Sequence, residues 1–115
     1  MSIAPISTAA AEALFRQVEF VDTNTTVTVK KNTATLTCHG KELVQLTFDP
    51  AGHMVQKPKL KIKNDGFFTA VSLDRINAVL RRAGHELLYR KNYCWTFESS
   101  QTPFGSGTSW KEIKL

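Results

Sequence analysis

The sequence predicts an α+β fold: an antiparallel β-sheet of four to six strands, with an N-terminal helix and a second helix over about residues 72–83 packed on one face. Three observations predict it. The apolar period is about 3.6 in residues 9–18, changes to two from residue 25, returns to about 3.6 over 72–83 and reverts to two beyond 87. The connections between these stretches are short, polar and rich in Gly, Asn and Pro. The chain has 115 residues, 42% hydrophobic and 22% charged, which suits a single α+β domain over 1–115 and argues against disorder.

The first helix is expected from a Ser7 or Thr8 cap through Ala9 to Val18, with Glu12 and Arg16 paired one turn apart and Leu14 and Val18 on one face. From Thr25 the pattern is a strand, with Val27 and Val29 alternating with threonines, and Lys31-Asn32 reads as a turn. The next strand puts Ala34, Leu36 and Cys38 on one face and Thr33, Thr35 and Thr37 on the other. His39-Gly40-Lys41 reverses the chain, and Val44, Leu46 and Phe48 point inward across from Leu43, Gln45 and Thr47. This is a meander with one wet, threonine-rich face.

Asp49-Pro50-Ala51-Gly52 reads as a loop, and a fourth strand follows in which lysines at 57, 59, 61 and 63 alternate with Pro58, Leu60 and Ile62. Pro58 cannot donate to a ladder, so the start of this strand is expected at an edge, and Asn64-Asp65-Gly66 ends it. The second helix runs from a Ser72 cap through Leu73, Ile76, Val79 and Leu80 to Gly84 as C-terminal cap, with Arg81 and Arg82 complementing its dipole. A hairpin comes next, with Lys91-Asn92 at its turn and Tyr93, Trp95 and Phe97 returning on one face. Residues 99–109 read as a mobile loop anchored by Phe104, and Trp110 to Leu115 as a closing strand.

Fifteen Lys and Arg against ten Asp and Glu give a net charge of +5. Residues 1–52 hold four bases and five acids, whereas 53–115 hold eleven bases and five acids, so the excess lies in the second half. Two basic sets stand out. Lys57, Lys59, Lys61 and Lys63 form a ladder whose ammonium groups leave one strand face about 6.6 Å apart. Such spacing suits a polyanion, although lysines on an edge strand also serve simply to block sheet-to-sheet pairing. Arg75, Arg82, Arg90 and Lys91 are the second set, interleaved with Phe67, Phe68, Tyr89, Tyr93 and Trp95. Aromatic stacking with phosphate contacts is how single-strand binders work, but aromatics at period two also describe a buried strand face.

Catalytic patterns are thin. His39, His53 and His85 fall in separate turns without metal-ligand spacing, and no phosphate-cradling glycine loop is present. Cys38 and Cys94 read as free, inert thiols: Cys38 adjoins His39, but adjacent strand residues point to opposite faces. No cofactor, metal or catalytic residue is expected. The N-terminus lacks the pattern of a secretory signal and no apolar run spans a bilayer, so a cytoplasmic address without membrane contact is expected.

The stretch Val71–Phe97, through Arg75-Ile76-Asn77, Leu80, Gly84 and the aromatic hairpin around Tyr93 and Trp95, resembles a helix-Gly-hairpin unit of small accessory proteins of tailed bacteriophages. The resemblance implies origin rather than chemistry, because many such proteins bind and alter a host factor and others bind nucleic acid. The expected function is therefore a small non-enzymatic, phage-encoded protein, in the host cytoplasm, that binds and modulates a host protein through a basic surface. The alternative is a nucleic-acid-binding module using the Lys57–Lys63 ladder and the 75–91 segment. The partner is thus an acidic host protein surface or a nucleic acid.

Overall fold

Pro5 opens the first helix, α1 (Pro5–Phe15), because its fixed φ suits the first turn and its missing N–H is not needed there. The computed structural model describes residues 3–48, 58–63, 69–91, 94–104 and 110–113, with only the backbone at Lys91 and Cys94. The expected Ser7 or Thr8 cap is not formed. Ala4 occupies the cap position, and Ser7 is fully buried instead. The helix stops at Phe15 rather than Val18 because Gln17 turns left-handed, φ 56°, and the N–H groups of Val18 and Gln17 close back on the carbonyls of Ala13 and Leu14 at 3.0 and 3.3 Å. Val18 therefore leaves the Leu14 face and stands 53% exposed.

Six strands form one antiparallel sheet: β1 (Phe20–Asp22), β2 (Thr25–Lys30), β3 (Thr33–Cys38), β4 (Lys41–Thr47), β5 (Lys59–Ile62) and β8 (Lys111–Ile113), in the order β1-β2-β3-β4-β5-β8. The second helix, α2 (Ala70–Arg82), and a separate two-stranded hairpin, β6 (Leu88–Lys91) and β7 (Cys94–Phe97), lie between β5 and β8 in the chain. The meander β2-β3-β4 is as the sequence predicts, and both residues of the His39-Gly40 turn have positive φ, as a two-residue hairpin of this twist requires. One departure matters for the core. The pairing jumps from Leu36↔Val44 to Thr37↔Glu42, so a bulge turns Leu43 inward beside Val44, and both are fully buried.

β5 is not an edge strand. Leu60 pairs with Ile113 and Ile62 with Lys111, which places the lysine-bearing strand inside the sheet, with Pro58 just outside the paired segment. The closing strand is confined to 111–113 among the described residues.

Thr69, not Ser72, caps α2: its side chain accepts the Ser72 N–H at 3.1 Å. At the other end Gly84, φ 75°, closes the helix as expected, with the His85 and Gly84 N–H groups on the Leu80 and Arg81 carbonyls at 2.9 and 3.1 Å. Val27, Ala34, Leu36, Val44, Leu46, Leu60 and Ile62 from one sheet face join Leu14, Ile76, Val79 and Leu80 from the helices, and Leu88, Trp95 and Phe104, in one buried cluster. The segment expected to be a mobile loop is fastened over its first part: Phe104 N–H donates to the Trp95 carbonyl at 2.7 Å and Pro103 bridges to Thr96. No helix among the described residues is long and apolar enough to cross a membrane.

Candidate functional site

Because β-strand side chains alternate, burying Val27, Leu36, Val44, Leu46, Leu60 and Ile62 sends their neighbours to the opposite, accessible face of the sheet. The register arranges that face in rows. Lys30, Thr33, Thr47 and Lys59 lie side by side across four strands. Thr28, Thr35, Gln45, Lys61 and Glu112 make the next row, across five. Beyond it lie Thr26, Thr37 and Glu42, with Lys63 following β5 and holding its ammonium 4.5 Å from the centre of the Trp110 ring. The Thr33 and Thr47 hydroxyls share a hydrogen bond of 3.1 Å.

The eight candidate residues separate. Lys59, Lys61 and Lys63 share the accessible face as predicted, and Lys57 lies outside the described residues. Arg75 does not belong to a surface at all: it is 8% exposed, and its guanidinium donates to the Thr25 hydroxyl at 2.9 Å and the Ser7 hydroxyl at 2.7 Å. Ser7 in turn donates to Asp74 at 2.5 Å, so the arginine cross-links α1, α2 and β2. Arg82 is turned toward α1, where its Nε donates to Glu12 at 2.6 Å and its guanidinium covers the Phe15 ring at 4.9 Å. That contact stands where the sequence suggested a Glu12–Arg16 pair. Arg90 is exposed on β6, opposite Trp95 in the hairpin, and the Lys91 side chain lies outside the description. The two basic sets therefore do not merge into one surface among the described residues.

Among the described residues, the aromatics of the second set, Tyr89 and Trp95, do not form a stacking platform. Trp95 is fully buried, and the Tyr89 hydroxyl donates to Gln101 at 2.8 Å. Phe67, Phe68 and Tyr93 lie outside the described residues, as does His53. Beside the hairpin an open groove of about 430 Å³ is walled by Ile3, Leu73, Leu87 and Leu88 and rimmed by Arg90 and Glu98.

Among the described residues, two titratable groups are perturbed. Burial pushes the Cys38 thiol up, opposed by the Arg75 guanidinium and a hydrogen bond with Thr25, so it is a protonated, free thiol in the core. Glu86 is held below its ordinary value mainly by backbone N–H donation from Ser100, with Ser99 and the Ser100 hydroxyl adding to it.

Sequence reasoning put Lys30 and Thr47 opposite the inward residues of the meander but did not join them to the lysine ladder, and it missed Trp110 as a member of the face. The short Lys31-Asn32 turn could have placed Lys30 against Thr33, but the β4-β5 and β5-β8 registers depend on long connections that carry no local signal.

Among the described residues, two helices pack on one side of the sheet and a threonine- and lysine-rich face lies on the other, which defines a small α+β protein with one polar sheet surface. Residues 3–111 match the Kyanoviridae Gp96 protein family, a phage family, and the chain belongs to it. No curated protein and no solved structure matches the chain.

Proposed function

We propose that this phage protein is a non-enzymatic binding module whose lysine-bearing sheet face docks on an acidic surface of a host protein and modulates that protein. One observation carries the reading. The ladder lysines leave an interior strand onto an accessible face, so protection of a finished sheet edge does not account for them. The same face holds Glu42 and Glu112 among Lys30, Lys59, Lys61 and Lys63. Mixed charge of this kind suits a protein surface of patterned charge better than an unbroken row of phosphates. Nucleic acid is the second reading, favoured by Trp110 beside Lys63 on that face.

The test is charge reversal, Lys59→Glu with Lys61→Glu. Proteins captured from host extract by wild type and not by the double variant are purified, and binding is followed kinetically. Slower association with a weakened salt dependence supports a protein partner. Tight binding of single- or double-stranded DNA would transfer the face to nucleic acid, with a log–log salt slope on duplex shallower by about 0.9 for each phosphate the variant no longer neutralises. Unchanged association with an identified partner would remove the face from function.

A further inference from the structure

Only one row of the accessible face, among the described residues, carries cations without an acid. In the row of Thr28, Thr35 and Gln45, Lys61 stands opposite Glu112. In the next, Glu42 and Lys63 are both present, and Lys63 already covers Trp110. The row Lys30, Thr33, Thr47, Lys59 has an ammonium at each end and two hydroxyls between them. At strand spacing the two lysine α-carbons are about 14 Å apart, and their flexible stems let both ammonium groups lean over the centre.

The centre is itself a donor. Two hydroxyls that share one hydrogen bond use one of their two protons, so the pair keeps one proton to donate outward. An oxyanion above Thr33 and Thr47 would accept that proton and meet both ammonium groups. In the neighbouring row a carboxylate-bearing residue, Glu112, is already set in register opposite a ladder lysine, Lys61. A polyphosphate running on across the sheet would instead meet Glu112 or Glu42.

We infer that the row of Lys30, Thr33, Thr47 and Lys59 is a subsite for a carboxylate side chain of the acidic partner. The inference rests on the docking face proposed above and narrows it to one row and one ligand group. It gives the face an orientation, because the acidic group must lie at the end near the β2-β3 turn.

A hexaglutamate peptide titrated into the protein, followed by amide chemical shifts, tests it. The peptide is expected to move the amides of Lys30, Thr33, Thr47 and Lys59. Lys59→Gln and Thr47→Val should each weaken binding about three- to fivefold, the size of one charged or hydrogen-bonded contact at a surface. Thr47→Ser, which keeps the hydroxyl, should bind as wild type, and Lys61→Gln should change little. If Thr47→Val has no effect and Lys61→Gln weakens binding as much as Lys59→Gln, the subsite is wrong while the docking face stands. If the peptide moves no residue of the face, both fail. Inorganic phosphate moving the row at lower concentration than the peptide would make it a phosphoryl site and overturn the carboxylate assignment.

Discussion

Gly84 and Gln17 occupy the same station, two residues past the last helical residue in the left-handed region, yet only one of them is glycine. An added Cβ at Gly84 would meet nothing within 4 Å, so Gly84→Ala should cost only the backbone strain, about 1 kcal/mol in a denaturant titration. Gln17→Gly should do the reverse and raise stability by about 0.5–1 kcal/mol. The end of α2 is legible because glycine announces itself; Gln17 carries no such signal, and the apolar pattern alone carries α1 on to Val18. Cys38 yields a prediction of pH dependence. Its folded thiol keeps its proton above the ordinary value of 9.0, so its contribution is whole below that value and declines as pH rises beyond it. The stability advantage of wild type over Cys38→Ala should therefore shrink as pH rises above 9.0, as denaturation midpoints will show.

Asn77 fastens the hairpin β6-β7 to α2. The Asn77 amide donates to the Leu88 carbonyl at 2.9 Å, and its oxygen accepts the Leu88 N–H at 2.8 Å, so it pairs with β6 as a strand backbone would. Asn77→Leu keeps the branching of the side chain but removes its donor and acceptor, which leaves two buried backbone groups unpaired, at about 1–3 kcal/mol each. Hydrogen exchange should then show β6-β7 opening before the large sheet. Glu86 fastens the next turn, and because its carboxyl is held below the ordinary 4.5, the anchor is present above that value and lost as pH falls beneath it. Ser99 and Ser100 amides should lose protection at neutral pH in Glu86→Ala, and in wild type only in acid. The hairpin itself is legible from its alternation. Its docking residue is not, because an asparagine inside a helix shows no partner in sequence. Nor is β1, three residues being too few to display a period.

Arg75 sets the arrangement of the whole molecule, since it holds α1 through Ser7 and β2 through Thr25 from its place in α2. Arg75→Ala strips those hydroxyls and Asp74 of their buried cation and should destabilise by about 3–5 kcal/mol, read from the denaturation midpoint. Basic composition suggests a surface arginine, because a charge in sequence does not say which way its helix turns. Architecture is more legible: the class and the meander follow from periodicity, while the position of β5 does not, because its neighbour β8 lies about fifty residues further along. That separation has a consequence in time. Strands β1 to β4 are joined by two-residue turns and can assemble as soon as they exist, whereas the β5-β8 pairing waits for α2 and the hairpin between them. During that interval β5 is the open margin of a half-built sheet, with Leu60 and Ile62 offered to any other chain in the same state. Its alternating lysines then repel a second half-built copy, so the residues proposed above to meet a partner also guard the chain against itself while it is being made.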